Sequence, residues 1–293
     1  MSETTTFDPK DLTRAKLHHL LLAAIAPRPI AFASTIDSEG HVNLSPFSFF
    51  NVFSSNPPVM IFSPAKSGRD GSLKHTHENV LQIPEVVINT VDYDMVQQMS
   101  LASTSYARQV NEFTKAGFSE VASDLVKPPR VKESPAAFEC EVREVVSLGG
   151  QGSGNLVICD VVRMHIQSRF INGEGRLDTR QLNMVGRMGE NWYCRIDDKA
   201  LFEIQKPGNV QGIGVDSLPK NVRFSKVLTG NQLGKLGSCP NLPSPEQIIN
   251  AKKQLEDLQL NSLDELHKYA QSLLEKDQRE LALSVLLTQS GEE

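Results

Sequence analysis

Short apolar runs bounded by turn residues dominate the first two hundred residues of the chain. Runs of this length, rich in β-branched and aromatic side chains, predict strands rather than helices. The predicted strands cover residues 30–36, 42–53, 59–62, 85–91, 137–148, 155–170 and 192–196. Because they follow one another without helical crossovers, we expect a closed antiparallel barrel rather than a parallel sheet, and the predicted fold class is mainly β.

Helical patterns are shorter in this region and become continuous only near the C-terminus. Helices are predicted at residues 12–26, 72–81, 93–102 and 110–116, and again over 245–287, where apolar residues recur every three or four positions. The second helical stretch divides at Asn261–Ser262, with Ser262 as N-cap. We therefore divide the chain into a β-rich domain at 12–205, an irregular extension at 206–245 and a helical tail at 246–293.

The segment from Asn43 to Asn51 departs from strand alternation. On a strand, Ser45, Phe47 and Asn51 would share one face, yet both faces mix aromatic rings with short hydroxyl or amide groups. Pro46 cannot donate a ladder hydrogen bond, which predicts an edge, a bulge or a break. The mixture suits a bound planar molecule that carries a phosphate. An irregular core strand filled with aromatic side chains is the alternative.

Composition excludes several classes of function. The chain has 293 residues, 39% of them apolar and 22% charged, with a net charge of −5, which argues against a nucleic-acid surface. Four widely separated cysteines suit a reducing compartment and argue against a disulfide scaffold. We expect no signal peptide and no membrane partner, because the apolar run at 20–26 is too short to cross a bilayer. A cytoplasmic protein is the expectation.

Most motifs with possible chemistry have a plainer interpretation. The glycine cluster at 149–154 is followed by a predicted strand instead of a helix, so it predicts a flexible hairpin loop rather than a nucleotide loop. The histidine spacings do not predict a metal site. Lys74 and Thr76 begin a predicted helix, where a lysine and free N–H groups can hold a phosphate. An exposed surface lysine is the alternative.

Several motifs together resemble the flavin-reductase-like family of FMN-binding split β-barrel proteins, which includes flavoredoxin. They are residues 26–35 (APRPIAFAST), 43–51 (NLSPFSFFN), 57–58 (PP), 74–76 (KHT), 139–141 (ECE) and 187–193 (RMGENWY). The resemblance covers residues 15–200, and residues 212–219 and 228–231 resemble a tail found in some members. One position departs from the family pattern, because His75 replaces an aspartate between the lysine and the threonine.

The resemblance implies a split antiparallel β-barrel with peripheral helices and a helical C-terminal tail. It also implies a homodimer with FMN, or alternatively FAD, at or near the subunit interface. The residues that it assigns to the flavin are Arg28, Thr35, Ser45, Pro46, Phe47, Ser48, Asn51, Lys74 and Thr76. Among these, Ser48, Asn51, Lys74 and Thr76 would hold the phosphate, and Thr35 and Arg28 would lie near the ring. Since a flavin supplies the redox chemistry itself, we expect no dedicated acid or base.

Three functions are compatible with this resemblance. The first is an NAD(P)H-dependent flavin reductase, in which NAD(P)H binds transiently against the exposed flavin and electrons pass to a small-molecule or protein acceptor. The second is a flavoredoxin-like electron carrier without its own NAD(P)H activity. The third is a non-catalytic flavin-binding dimer, such as a ligand sensor.

Overall fold

A computed structural model describes residues 4–204, 206, 208, 210–256, 258, 260 and 262–289. The chain divides into two compact units, one ending at Phe202 and the other beginning at Glu203. Gln205 and Asn261, at which the sequence analysis placed two boundaries, lie outside the described residues. No helix within the described ranges is long and apolar enough to cross a membrane.

The first unit is built on a seven-stranded antiparallel sheet in the order β2-β1-β5-β8-β9-β4-β3. Its strands are β1 (Ala31–Ile36), β2 (Val42–Phe47), β3 (Phe50–Ser55), β4 (Pro58–Phe62), β5 (Glu85–Asn89), β8 (Ala136–Ser147) and β9 (Asn155–Ile166). Two further pairs are β6 (Glu120–Val121) with β7 (Arg130–Val131), and β10 (Val185–Arg187) with β11 (Tyr193–Arg195). The predicted strands at 30–36, 59–62, 85–91 and 137–148 are confirmed to within a few residues.

The predicted strand at 42–53 is two strands, and this break decides the shape of the sheet. β2 and β3 occupy opposite edges of the strand order, yet only Ser48 and Phe49 connect them. Three consecutive Cα–Cα steps span at most about 11 Å, so the sheet must roll until its two edges meet. No ladder pairing joins β2 to β3 in the described residues. The closed barrel is therefore wrong, and the rolled sheet has a seam.

Helices lie between the strands and make the fold mixed instead of mainly β. In the first unit they are α1 (Arg14–Ala24), α2 (His75–Gln82), α3 (Val96–Leu101) and α4 (Glu112–Ala116). Over the described residues, helices hold at least as many residues as strands. The helix predicted from residue 93 begins at Val96, because Asp92 Oδ1 accepts the N–H groups of Asp94 and Met95 and holds a turn there.

The second unit is helical. Its helices are α5 (Lys220–Arg223), α6 (Gly230–Gly237), α7 (Pro245–Glu256), α8 (Leu263–Glu275) and α9 (Arg279–Leu287). The extension predicted to be irregular at 206–245 thus contains two helices, and its buried Val222 and Leu236 pack in one core with Leu266 and Leu283. Ser262 caps α8 as predicted, since its hydroxyl accepts the N–H of Glu265.

Candidate functional site

Two cavities meet at the seam of the rolled sheet. Their volumes are about 550 Å³ and about 340 Å³, and both are lined by Ser45, Ala65, Lys74 and Ser103. Each volume lies in the range of roughly 300–1,000 Å³ that is typical of sites for small ligands. We call the two together the groove, with the larger as its first cavity and the smaller as its second. Seven of the nine predicted site residues line it: Arg28, Ser45, Pro46, Phe47, Ser48, Lys74 and Thr76.

Lys74 stands where the two cavities join. It is the N-cap of α2, its side chain is exposed, and its ammonium has no hydrogen-bond or ion-pair partner among the described residues. The carbonyl of Lys74 accepts the N–H groups of His77 and Glu78, at 2.9 and 3.1 Å. The first N–H groups of a helix have no intrahelical acceptor, so a free cation and free donors lie together here. Such a combination binds phosphates.

Thr76 and Thr35 belong to a buried hydrogen-bond network behind the first cavity. Asn43 Nδ2 donates to Thr76 Oγ1 at 2.8 Å and to Thr35 Oγ1 at 3.4 Å, while Asn79 Nδ2 donates to Thr35 at 3.2 Å. Thr35 is fully buried and does not appear among the described residues that line the groove. Thr35 lies on β1, behind α2, and its role near a bound ring stays a prediction.

Asn51 also lies away from the groove. It is exposed on β3, its Oδ1 accepts the N–H of Val52 at 2.8 Å, and neither cavity includes it among the described lining residues. Asn51 lies there because the strand is broken at Ser48–Phe49. An unbroken strand would have placed Asn51 on the same strand face as Ser45, whereas the break places it on β3, at the opposite edge of the sheet.

Arg28 lines the second cavity, but its guanidinium is largely occupied by the protein. Nη1 donates to the carbonyls of Leu22 and Ile25, both at 2.6 Å, and Nη2 donates to Met188 at 2.8 Å. Nε lies 3.5 Å from Ser48 Oγ. Burial, and then the nearby charge of Arg187, lower the pKa of Arg28. The side chain thus closes the C-terminal end of α1 and holds the wall of the cavity.

The loop at 63–73 supplies groove residues that sequence reasoning missed. Lys66 and Arg69 line the first cavity, and the Lys66 ammonium donates to the carbonyl of Gly149 at 2.8 Å. Arg14 and Gln151 hold the loop through the carbonyl of Gly68, at 2.5 and 3.0 Å. The glycine-rich β8–β9 hairpin loop is thus packed against the groove loop. The enrichment of the loop at 63–73 in serine, glycine and basic residues was a sequence signal for a binding loop. Its contact with Gln151, more than 80 positions away, could not be predicted from the sequence.

Glu112 places a buried carboxyl at the first cavity. Its Oε2 accepts the N–H of Leu44 at 3.0 Å, and burial raises its pKa. Leu44 precedes Ser45, so Glu112 positions the edge strand that forms the wall of the groove. Nothing in the sequence pattern connects these residues, which are 68 positions apart.

A known family covers most of the residues that line this groove. A model described as the flavin reductase like domain matches residues 23–179, more than half of the chain. The chain belongs to the flavin reductase-like family. The protein BH2278 of Halalkalibacterium halodurans is 33% identical over 203 residues, which cover 68% of this chain and 95% of that relative. The predicted family resemblance is confirmed, and the chain is a flavin-binding oxidoreductase.

Solved structures extend the comparison to three dimensions. Nitrilotriacetate monooxygenase component B from Bacillus cereus is similar, with a TM-score of 0.65 and 26% identity over 70% of this chain and 100% of that chain. A protein with a split barrel domain from Shewanella frigidimarina has a TM-score of 0.59 at 22% identity, covering 69% of this chain and 100% of that one. The latter shows the fold alone, and its split barrel agrees with the seam between β2 and β3.

The residues of the groove fit a flavin that carries a phosphate. Lys74 and the start of α2 offer charge and donors for a phosphate, and Pro46 and Phe47 offer apolar surface for a ring.

A second polar cluster lies elsewhere and is satisfied by the protein. Asp124, Glu139 and His165 bring their ligand atoms within 4.8 Å of one another. Glu139 is fully buried, accepts His165 Nε2 at 2.6 Å, and accepts the N–H groups of Asp124 and Leu125 at 2.8 and 2.6 Å. Burial alone would raise the pKa of Glu139, but these hydrogen bonds lower it below its ordinary value. The cluster ties β9 and the 124–126 segment to β8.

Proposed function

We propose that this protein binds FMN in the groove and uses NAD(P)H to reduce it, passing the electrons to free flavin or another acceptor. The observation that carries the proposal is the unpartnered Lys74 ammonium at the junction of the two cavities. A polar cavity on one side of this cation and an apolar wall on the other match a molecule with a phosphate at one end and a ring at the other. Family membership supports the same cofactor class.

Each part of the groove has a role under this proposal. Lys74 and the first N–H groups of α2 bind the phosphate, helped by Arg69 from the loop. Ser45 and Ser48 present hydroxyls to the polar edge of the ring, and Phe47 packs against its apolar part. Bound flavin supplies the hydride and single-electron chemistry, so the chain contributes binding, orientation and electrostatics. We assign no side chain an acid–base role.

Arg28 supports the proposal indirectly. By holding Leu22, Ile25 and Met188 together, it fixes α1 and the β10 end of the second cavity around the ring. A preorganised wall of this kind lowers the ordering cost of binding. The second cavity remains open on its other side, where a nicotinamide could approach the ring.

We also propose that the protein is a homodimer. Phe49, which lines the second cavity, and Val52 and Phe53 on β3 are each at least two-fifths exposed. Adjacent exposed apolar side chains of this size mark interaction surfaces more often than free surface. Light scattering of the purified protein in solution measures its mass, and a monomer at micromolar concentration would contradict this part of the proposal.

An absorbance spectrum followed by an oxidation assay tests the function. We expect the protein to retain or take up FMN stoichiometrically, and to oxidise NADH or NADPH only when FMN is present. Flavin binding without nicotinamide oxidation would instead favour an electron carrier of the flavoredoxin type. A protein that does not bind FMN, and whose melting temperature FMN leaves unchanged, would contradict the proposal.

A further inference from the structure

A third cavity, of about 410 Å³, lies beside the β10–β11 hairpin and has no role in the function proposed above. On one side it is lined by residues that follow β5, and on the other by the hairpin. The side chains that matter for the argument are Tyr93, Gln97, Ser100, Arg187, Tyr193 and Arg195. We call this cavity the hairpin cleft.

The hairpin presents one face to the cleft. Arg187 pairs with Tyr193 across the ladder, and Val185 pairs with Arg195, so these four side chains share a face. The Arg187 guanidinium lies 4.6 Å from the centroid of the Tyr193 ring, and Arg195 lies 4.0 Å from the centroid of Tyr93. Two flat cations stacked on two aromatic rings therefore line the cavity.

Neither guanidinium is neutralised by a carboxylate of the described residues. Arg187 donates through Nη1 to the carbonyl of Trp192 at 3.0 Å, and Arg195 donates through Nε to Asn183 Oδ1 at 2.7 Å. The two terminal nitrogens of Arg195 donate no hydrogen bond within the described residues, so their N–H groups are available to a ligand. Asp and Glu are also absent from the described lining of the cleft. The cleft carries two positive charges and unsatisfied donors, which favour an anionic ligand with several acceptor oxygens.

The cleft is held in shape by main-chain bonds on both sides. The N–H of Tyr93 donates to Asn183 at 2.9 Å, and the N–H of Val185 donates to Val91 at 3.3 Å. On its other face, the hairpin packs so closely that a Cβ at Gly186 would lie 2.7 Å from Pro27 Cβ and 2.9 Å from Cys194 Sγ. The two arginines are therefore presented by a fixed frame instead of a free loop.

Arg187 connects the cleft to the groove. It lines both the hairpin cleft and the second cavity, and its main chain pairs with that of Arg28. A ligand that extends from the cleft past Arg187 would reach the place assigned above to the flavin ring. The aromatic rings and guanidinium planes suit a planar base, and the free donors suit phosphate oxygens.

We infer that the hairpin cleft binds the adenosine diphosphate half of NAD(P)H, while the nicotinamide half reaches the flavin in the groove. This inference rests on the proposed function, because it supplies the binding site that a transient nicotinamide donor needs. The adenine stacks against Tyr93 or the arginine planes, and Arg195 and Arg187 bind the phosphates.

Titration calorimetry of the FMN-loaded protein with ADP tests the inference. We expect ADP to bind, and adenosine or ribose 5-phosphate to bind much more weakly, because each lacks one of the two recognised parts. Arg195→Ala should weaken ADP binding about tenfold or more, the loss expected for a charge-assisted contact, while Arg195→Lys recovers part of it. Arg176→Ala, an exposed arginine of another turn, removes the same charge as a control and should leave binding unchanged.

Kinetics and flavin binding, measured on the same samples, separate the possible failures. Arg195→Ala should raise the KM for NAD(P)H with little change in kcat, and it should leave FMN affinity unchanged. The inference is overturned if ADP does not bind the parent protein, if Arg195→Ala binds ADP as well as the parent does, or if free FMN displaces ADP from the cleft. If the parent protein does not bind FMN, the proposed function is overturned, whether or not ADP binds.

Discussion

Lys74 is the single side chain on which phosphate binding depends most directly. Lys74→Ala should weaken FMN binding by about 1.5–3 kcal/mol, roughly 10- to 150-fold, because a charge-assisted hydrogen bond is lost. Flavin titration monitored by fluorescence quenching measures the change. Lys127→Ala removes another exposed lysine outside the groove and should leave the affinity as it was. An equal affinity for the Lys74 variant would remove this residue from the site.

Arg28 lines the second cavity, but its main role is to stabilise the fold through hydrogen bonds to main-chain carbonyls. Arg28→Ala leaves the carbonyls of Leu22, Ile25 and Met188 without their donor, so we expect the free energy of unfolding to fall by about 2–4 kcal/mol. Urea unfolding of the flavin-free protein measures this loss. Arg28→Lys should recover little of it, since an ammonium cannot reach three carbonyls in the same fork geometry. Full stability with weakened flavin binding would make Arg28 a ligand contact instead.

At the scale of the element, Glu139 joins β8 to its surroundings through hydrogen bonds to His165 and to backbone N–H groups. Glu139→Ala should destabilise the protein by about 3–5 kcal/mol, because His165 and several N–H groups lose a buried partner. Urea unfolding at neutral pH measures the change. Glu144→Ala, an exposed position on the same strand, is the matched control and should cost far less.

The same carboxyl predicts a dependence of stability on pH. Because the pKa of Glu139 is lower in the folded protein than in the unfolded chain, its stabilising contribution is complete above the unfolded pKa of about 4.3. The contribution is lost as the pH falls through the folded pKa. The difference in unfolding free energy between the parent protein and Glu139→Gln should therefore shrink on acidification below about pH 4.3. A difference independent of pH would contradict the role assigned to this carboxyl.

At the scale of the whole molecule, the groove and the hairpin cleft both belong to the first unit. All of their described lining residues lie between His18 and Arg195. The relative from Halalkalibacterium halodurans is matched over 95% of its length by only 68% of this chain. A chain that ends at Phe202 should therefore bind FMN with an affinity within about threefold of the parent, which is less than 1 kcal/mol. A folded truncated chain, verified by circular dichroism, that no longer binds FMN would show that the helical unit contributes to the site.

Local chemistry determined the elements and the family. The sequence predicted the strands at 30–36 and 59–62, the capping of α8 by Ser262 and the importance of the residues around Pro46 and Lys74. Each depends on neighbours a few positions apart, through side-chain alternation, turn conformation or a cap. For the same reason, most strand limits were correct to within a few residues.

Tertiary structure decided what the elements form together. The edges of the sheet meet because only two residues join its outermost strands. No ladder pairs these edges in the described residues, and the resulting seam makes the groove. Packing between distant segments also decided the positions of single residues. It buries Thr35, places Asn51 on the opposite edge strand and brings Glu112 into contact with Leu44. Helices at 220–237 form because their apolar residues are buried against later helices. The sequence by itself determined which pieces form, and contacts over long distances in the chain decided which of them could bind a ligand together.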